Sequence, residues 1–521
     1  MSPTEISAAT HKSRTLAIMA SVTALVALDT SIVGVILPSV ARSLHASFGS
    51  VEWVITGYIL SFASLLVPAG VFSDRFGRRT GVLVGVAIFG VASLLCGLAG
   101  TATRLTAARI LQGVGAAFLP SASLAVIGHT FRGPERARAF AFWGAALGIA
   151  IATGPLVGGA IASVAGWRWA FLLNVPICAL LLLLIWRHVD ESRDPDAAGF
   201  DVPGILTFSS ALFFLTWALI EVNNSAWNSF PVIWRAATAT ALLTGFMLLE
   251  GRQRHPMIDP GLFRFPAFIG AAAAMAGYAA AGQMLIFYLP LYLQNKFALT
   301  PLRAGIAMLP FAFPMFLAPR LRGHLPDSSR KVLFFGMIAT CLGDLLLAAS
   351  ARQDSYLAFA VGMAIAGSGA GILNGETAKV LQGSVPAERG GMAAGLSATI
   401  RFTALLTSVA GLGAVLSGVT SRVFALDTAP LGSALDRQTL VGRIVAGDLS
   451  RAISLQPEGL QSQISQAAQS AFSGGFAVAM LCASLFAAAV GIASYLLVQE
   501  RDISDIRSGK PTGEDIEVIS E

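Results

Sequence analysis

The chain has 521 residues, 55% of them hydrophobic and only 12% charged, with a mean hydropathy of +0.71. A soluble globular domain carries about 25% charged residues, so this composition points to an all-α integral membrane protein. The formal charge of +6 is spread over short loops rather than pooled in a patch, which argues against a nucleic-acid partner.

A helix that crosses a hydrocarbon core of about 30 Å needs roughly 20 mostly apolar residues. Fourteen such runs are predicted, near 15–39, 51–71, 80–100, 104–126, 139–162, 169–187, 203–222, 232–250, 266–290, 302–319, 331–350, 355–379, 391–418 and 471–498. The runs near 302–319 and 355–379 are the least apolar, so twelve or thirteen spans are the alternatives. His11, Lys12 and Arg14 ahead of the first run imitate a signal peptide. Asp29 interrupts that run and many spans follow, so an uncleaved first span is expected. With the N-terminus in the cytoplasm, 22 of the 35 Lys and Arg fall on the inside and 11 on the outside, and Arg109 and Arg401 lie within spans. This bias places both termini in the cytoplasm. Cys96, Cys178, Cys341 and Cys482 each sit inside an apolar run without metal-ligand spacing, so no metal, disulfide or cofactor is expected.

The spans fall into an order of parts. A tail at 1–14 precedes a six-helix bundle at 15–187. A linker at 188–265 carries an inserted pair, spans 7 and 8. A second six-helix bundle occupies 266–498, with a long external loop near 420–470, and 499–521 form a second tail. "GVGAAFLPSA" (113–122) ahead of Pro134-Glu135-Arg136 resembles "GSGAGILNGE" (367–376) ahead of Pro386-Ala387-Glu388-Arg389. The matched order suggests two related halves, the architecture of secondary transporters, in which a binding site lies between repeats near the bilayer midplane.

Several charges stand where they are costly. "GVFSDRFGRR" (70–79) packs Asp74, Arg75, Arg78 and Arg79 into a gap of a few residues, where the three arginines can surround Asp74 at a helix end. Gly70 and Gly77 permit close approach and a tight turn. Asp29, Arg109, Asp344, Glu376 and Arg401 lie within spans, and such residues usually face a cavity or one another. Asp29 is about 20 Å along its helix from the start of the span at 1.5 Å per residue. No basic residue lies one turn away on its own helix, and Arg109 is the expected cation. Glu376 stands one turn before Lys379 and is either functional or half of a structural pair. Arg401 is expected to satisfy a neighbouring acid. The fifth run is Gly-rich: Gly144 with Gly148, then Gly154 with Gly158, form two faces for close packing, and Pro155 kinks the helix.

The motifs together resemble the major facilitator superfamily, and within it the 14-span drug:H⁺ antiporter family. "LDTSIVGVILP" (28–38) is similar to the family's first-span motif, with Gly34 where the family usually has Asn. "GVFSDRFGRR" is similar to the loop between spans 2 and 3, "RILQGVGAA" (109–117) to the span-4 motif, and "GIAIATGPLVGG" (148–159) to the span-5 antiporter motif. "GWRWAFLLNVP" (166–176) is also typical. The second-half loop, "APRLRGHLPDSSRKV" (318–332), lacks the Gly-x-x-x-Asp-Arg-x-Gly form.

The resemblance implies the major facilitator fold, two six-helix bundles plus two inserted helices. It implies an electrostatic latch at Gly70, Asp74, Arg75, Gly77, Arg78 and Arg79, in which the acid is paired in one conformation and released in another. It implies proton coupling through Asp29 and Arg109. Asp344 and Glu376, as acids within spans, are further candidates for proton coupling, with a structural role as the alternative for each. Gly148, Gly154, Pro155, Gly158 and Gly159 would seal the interface of the halves and favour exchange over symport. Tyr58, Gln112, Trp143, Tyr288 and Asn374 are candidates to line a substrate cavity. Trp217 and Phe311 join them, although ordinary packing is the alternative for each aromatic residue.

The expected function is proton-driven export of amphipathic small molecules across the cytoplasmic membrane by alternating access. Export of one specific metabolite, such as a siderophore, amino acid or natural product, is the second reading. The expected partners are a small-molecule substrate, protons and the lipid bilayer, with the protein a monomer. The sequence has no phosphate loop and no paired nucleophile and base, so neither an ATP-driven pump nor an enzyme is expected. A sensor would need a soluble output domain.

Overall fold

The computed structural model describes residues 3–193, 201–222, 225, 227–253, 260–319, 328–385, 390–429, 436–447, 453 and 458–498. The stretch 386–389 of the second repeat, most of the loop 318–332, parts of the loop near 420–470, and the tail 499–521 lie outside these residues.

Every regular element among the described residues is helical. The first six spans are α1 (Pro3–Leu44), α2 (Phe48–Phe76), α3 (Arg78–Gly97), α4 (Ala102–Thr130), α5 (Gly133–Val164) and α6 (Asn174–His188, preceded by the turn Trp169–Leu172). The inserted pair is α7 (Val202–Glu221) and α8 (Phe230–Glu250). Helix α9 runs over Pro266–Lys296, with a π-helical turn at Tyr278–Gln283. Then come α10 (Pro301–Ala307 and Leu309–Leu317), α11 (Ser329–Ser350), α12 (Tyr356–Gly383), α13 (Gly390–Asp427), α14 (Arg437–Ala446) and α15 (Glu458–Leu497).

Thirteen helices are long and apolar enough to cross a membrane, one fewer than the fourteen runs read from the sequence. The difference is the run near 302–319, which is broken at Met308. Pro310 has no N–H for the carbonyl of Ile306, and Pro314 repeats the defect one turn on. The run near 355–379 is a continuous helix. The described residues of the polar stretch near 420–470 are largely helical, because α13 extends to Asp427, α14 lies within it, and α15 begins at Glu458.

Helix starts follow their caps. Ser47, Thr101, Ser328 and Ser355 each accept a hydrogen bond from a backbone N–H of the next turn. The spans depart from the burial pattern of a soluble protein in their outer faces and in a few buried charges. Large apolar side chains such as Leu95, Leu98, Leu180, Leu183, Trp186 and Leu485 are exposed, while Asp29, Arg109, Gln112 and Asp344 are buried. Apolar outer faces suit lipid, which offers exposed polar groups no partners.

The chain packs as two compact units. The first comprises 1–209, 286–307 and 442–461; the second comprises 210–285, 308–441 and 462–521. In the first, α4 packs on α2 and α3, and α1 packs on α5. Gly34 lies against the backbone of Ile286 and Phe287 in α9, so a side chain at this position would meet the Ile286 carbonyl. In the second unit, α12 packs on α11 and on the second piece of α10. The inserted pair is tied by an Arg235–Glu221 ion pair of 2.9 Å, with Trp217 and Trp234 beside the guanidinium.

Candidate functional site

The first unit encloses a polar cluster between α1, α2, α3, α4 and α6. Asp29 is 2% exposed and Arg109 1%, and they form an ion pair of 2.7 Å. Asp29 also accepts hydrogen bonds from Nε2 of Gln112 at 3.0 Å and Nδ2 of Asn174 at 2.8 Å. Gln112 sits one turn after Arg109 on α4, donates to Ser93 Oγ at 2.9 Å, and accepts from Arg109 at 2.6 Å. The Arg109 Nε donates to the Val54 carbonyl at 3.2 Å, and the guanidinium carbon lies 3.9 Å from the centre of the Tyr58 ring. A charge pair away from water is tolerated only when its remaining donors and acceptors are matched, and this one meets that condition closely.

Five helices contribute, and helical spacing explains why α4 gives two side chains that reach Asp29. Positions i and i+3 share a face, so Arg109 and Gln112 reach the same acid. Asn174 and Ser93 were not singled out in the sequence. Asn174 had a signal, as a lone amide in the apolar run "AFLLNVPICALL" at 170–181. Ser93 had none, since a serine in a membrane helix is unremarkable.

The loop between α2 and α3 is arranged differently from the expectation. Asp74 pairs with Arg78 at 2.8 Å, one turn on. Arg79 instead donates to the Trp186 carbonyl at 2.8 Å, and the Arg75 guanidinium lies 5.8 Å from the Phe76 ring. One arginine, not three, holds Asp74, because Gly77 breaks the helix and sends Arg79 to another face. Gly77 has φ +125°, and a side chain there would strike the Glu191 carboxylate. Glu191 was missed by the sequence reading. It accepts from the backbone N–H groups of Arg79 at 3.0 Å and Thr80 at 3.1 Å, and from the Thr80 hydroxyl at 2.6 Å. An anion thus caps the N-terminus of α3, where unpaired N–H groups and the helix dipole favour negative charge. Gly70 faces Ser121 of α4.

Glu191→Gln removes the charge but keeps an acceptor, a loss of about 1–2 kcal/mol, or about 5–30-fold in any equilibrium that needs the cap. Transport rate at matched expression is expected to fall severalfold, as it is for Asp74→Asn. Wild-type rates in both variants would leave membrane topology as the only role of this loop.

Helix α5 uses its glycines on two neighbours. Gly154 faces Ser31 and Gly158 faces Ile32, both on α1. Gly159 lies against the backbone of Pro301 and Leu302, and Gly305 of α10 lies reciprocally against Pro155 and Leu156. Gly148 is half-buried. Gly144 is exposed with open space around it, so the first of the two expected packing faces has no neighbour there among the described residues.

The remaining candidates scatter. Tyr58 and Gln112 are closed around Asp29 rather than open to a cavity. Trp143 donates to Thr23 of α1 at 3.0 Å, and Tyr288 and Phe311 are buried. Asn374 accepts from the Tyr278 hydroxyl at 3.0 Å. Among the described residues, Arg401 has no acid among its hydrogen-bond partners. It donates to Gln283 at 2.7 Å and to Tyr278 at 3.2 Å, both in the π-helical turn, whose Ala280 carbonyl accepts from Ser408 at 2.6 Å. A π-turn breaks the regular ladder, and α13 supplies the replacement donor. Glu376 bonds to Lys379 at 3.1 Å and to Ser329 at 2.7 Å, the structural pairing that spacing had offered as one alternative. No group of His, Cys, Asp and Glu suited to a metal ion occurs among the described residues.

Comparison with known proteins identifies the family and the fold. The family model for the Major Facilitator Superfamily matches residues 19–409. The chain belongs to that superfamily. It is 36% identical over 396 residues to the multidrug resistance protein Stp of Mycobacterium tuberculosis, covering 75% of this chain and 73% of that protein. It is 34% identical to the methylenomycin A resistance protein of Streptomyces coelicolor, over 75% of this chain and 82% of the other. The fold matches a crystal structure of a bacterial homolog of the human lysosomal transporter Spinster, with a TM-score of 0.62, 16% identity and coverage of 95% and 98% of the two chains. A superfamily member with thirteen candidate spans is a multi-pass membrane protein.

Proposed function

We propose that this superfamily member is a proton-coupled antiporter that exports amphipathic drug-like molecules across the cytoplasmic membrane by alternating access. The observation that carries the reading is the buried Asp29–Arg109 pair with its two amide donors. Protonating Asp29 would leave Arg109 buried without its counter-charge, and uncoupling one member of such a pair costs about 3–5 kcal/mol. The proton is therefore accepted where the cluster opens or Arg109 finds another acceptor. That requirement ties the proton to a change of conformation, because a ligand shifts an equilibrium only by its differential affinity for the two states. Stp, a relative named for multidrug resistance, supports the substrate class. The methylenomycin A resistance protein is named for one compound, which favours export of a single natural product as the second reading. Efflux from a pump-deficient bacterial host decides between them. Protection against several unrelated amphipathic compounds supports the first, and protection against one compound supports the second.

The proposed orientation has both termini in the cytoplasm, with the two-piece α10 counted as a fourteenth crossing, from the two-to-one excess of Lys and Arg on that side. Gly100, between α3 and α4, is exposed with open space around it, and Arg138, near the start of α5, is exposed. In intact cells, Gly100→Cys is expected to react with an impermeant maleimide and Arg138→Cys to be protected. The opposite pattern would reverse the orientation.

A further inference from the structure

The second unit holds a buried acid with no visible role in the Asp29 cluster. Asp344 lies in α11 with 0% exposure, and neither carboxylate oxygen has a hydrogen-bond partner among the described residues. Its place follows from matching contacts within each unit. Gly85 of α3 lies against Gly115 and Leu119 of α4, as Gly336 of α11 lies against Gly369 and Leu373 of α12. Phe89 meets Gly115 as Thr340 meets Gly369. Gly90 meets Cys178 of α6, as Cys341 meets Ser484 of α15. The same register puts Asp344 where the first unit has Ser93. It puts Met363 in the place of Arg109, Ala366 in that of Gln112, and Met480 in that of Asn174. All three replacements are fully buried and apolar.

The second unit thus keeps the helix packing around this position, exchanges its hydroxyl for a carboxyl, and has apolar side chains in place of the cation and both amides. Several charged and titratable groups of the neighbouring elements are engaged elsewhere. Glu376 of α12 is held by Lys379 and Ser329, and lies about 15 Å along the helix from Ala366 at 1.5 Å per residue. Arg330 at the start of α11 donates to the Tyr495 carbonyl of α15. Tyr278 of α9 is bonded to Asn374 and Arg401. Cys341, three residues before Asp344, is bonded to Ser484. An unpaired carboxylate in such a place costs several kcal/mol, whereas a carboxylic acid carries no charge to desolvate.

We propose that Asp344 is a second proton-binding site, held as the neutral acid in this conformation and exchanging its proton with water during the transport cycle. The proposal deepens the proton-coupled reading and rests on it. On release, the proton passes to solvent and the carboxylate remains; uptake reverses this, with no other bond made or broken.

Two measurements on the purified full-length protein test it. Infrared difference spectroscopy in H₂O and D₂O at neutral pH is expected to show a deuterium-sensitive protonated-carboxyl band that disappears in Asp344→Asn and persists in Asp29→Asn. Ethidium-induced proton release per transporter is expected to fall by about half in Asp344→Asn, one site of two being lost. Asp344→Ser, which restores the residue of the first unit, serves if the Asn variant folds poorly, and it is expected to show the same losses. A band unchanged in both variants, or an unchanged proton count, overturns the proposal. A lost band with an unchanged count makes Asp344 a permanently neutral structural acid, which also overturns it. Absence of proton release from the wild type would instead defeat the antiport reading, while the band still reports on Asp344 separately.

Discussion

Asp29→Asn is expected to abolish uphill, proton-driven efflux while leaving measurable substrate binding. The amide is the same size as the carboxyl, so Gln112 and Asn174 stay close, although Asn offers one acceptor oxygen in place of two. Arg109 loses its counter-charge and keeps the Gln112 oxygen, the Val54 carbonyl and the rings of Tyr58 and Phe171. Removing one member of a buried pair costs about 3–5 kcal/mol, so the first unit should also unfold at a lower temperature. Arg109→Gln is expected to be at least as disruptive, because it strands the acid instead. Proteoliposomes with an imposed pH gradient, combined with an equilibrium binding assay, separate the two properties. Full substrate-induced proton release from Asp29→Asn would remove Asp29 from the proton path.

The Asp29–Arg109 pair shows what the sequence makes legible. A carboxylate deep in an apolar run is so costly that it demands a cation or a proton, and few cations lie at comparable depth. Arg109 and Arg401 are those left within spans when loops are assigned. Spans are legible for the same reason: hydrocarbon forbids unpaired backbone, so length and apolarity identify them. What stayed hidden depends on distance in sequence. Glu191 reaches Arg79 and Thr80 across more than a hundred residues, and nothing local distinguishes it from other acids in a polar linker. The break in α10 was written in Pro310 and Pro314, but membrane helices tolerate proline, as α1 does at Pro38 and α5 at Pro155. The motif around Asp74 was recognisable as a whole, yet which arginine faces the acid was set by the turn at Gly77.

Gly159→Leu should separate helix packing from proton chemistry, because the site has no titratable group. Its α-carbon lies against the backbone of Pro301, and a side chain would be driven into the Pro301 carbonyl. Backbone cannot rotate away as a flexible side chain can, so α5 and α10 must move apart. Overpacking of this kind costs about 1–3 kcal/mol, and small residues are what allow membrane helices to approach so closely. Gly305→Leu attacks the same contact from the other helix, where the Pro155 carbonyl is the obstacle, and is expected to give the same result. Gly144→Leu is the control, since open space surrounds that glycine on the same helix. The expected outcome is near-normal membrane expression for all three variants. Gly159→Leu and Gly305→Leu should lose efflux or leak protons without substrate, and Gly144→Leu should transport normally. Proton leak is read from the decay of an imposed pH gradient in proteoliposomes with no substrate present. Tight gradients and intact efflux in both contact variants would mean that the α5–α10 contact neither moves nor seals during transport.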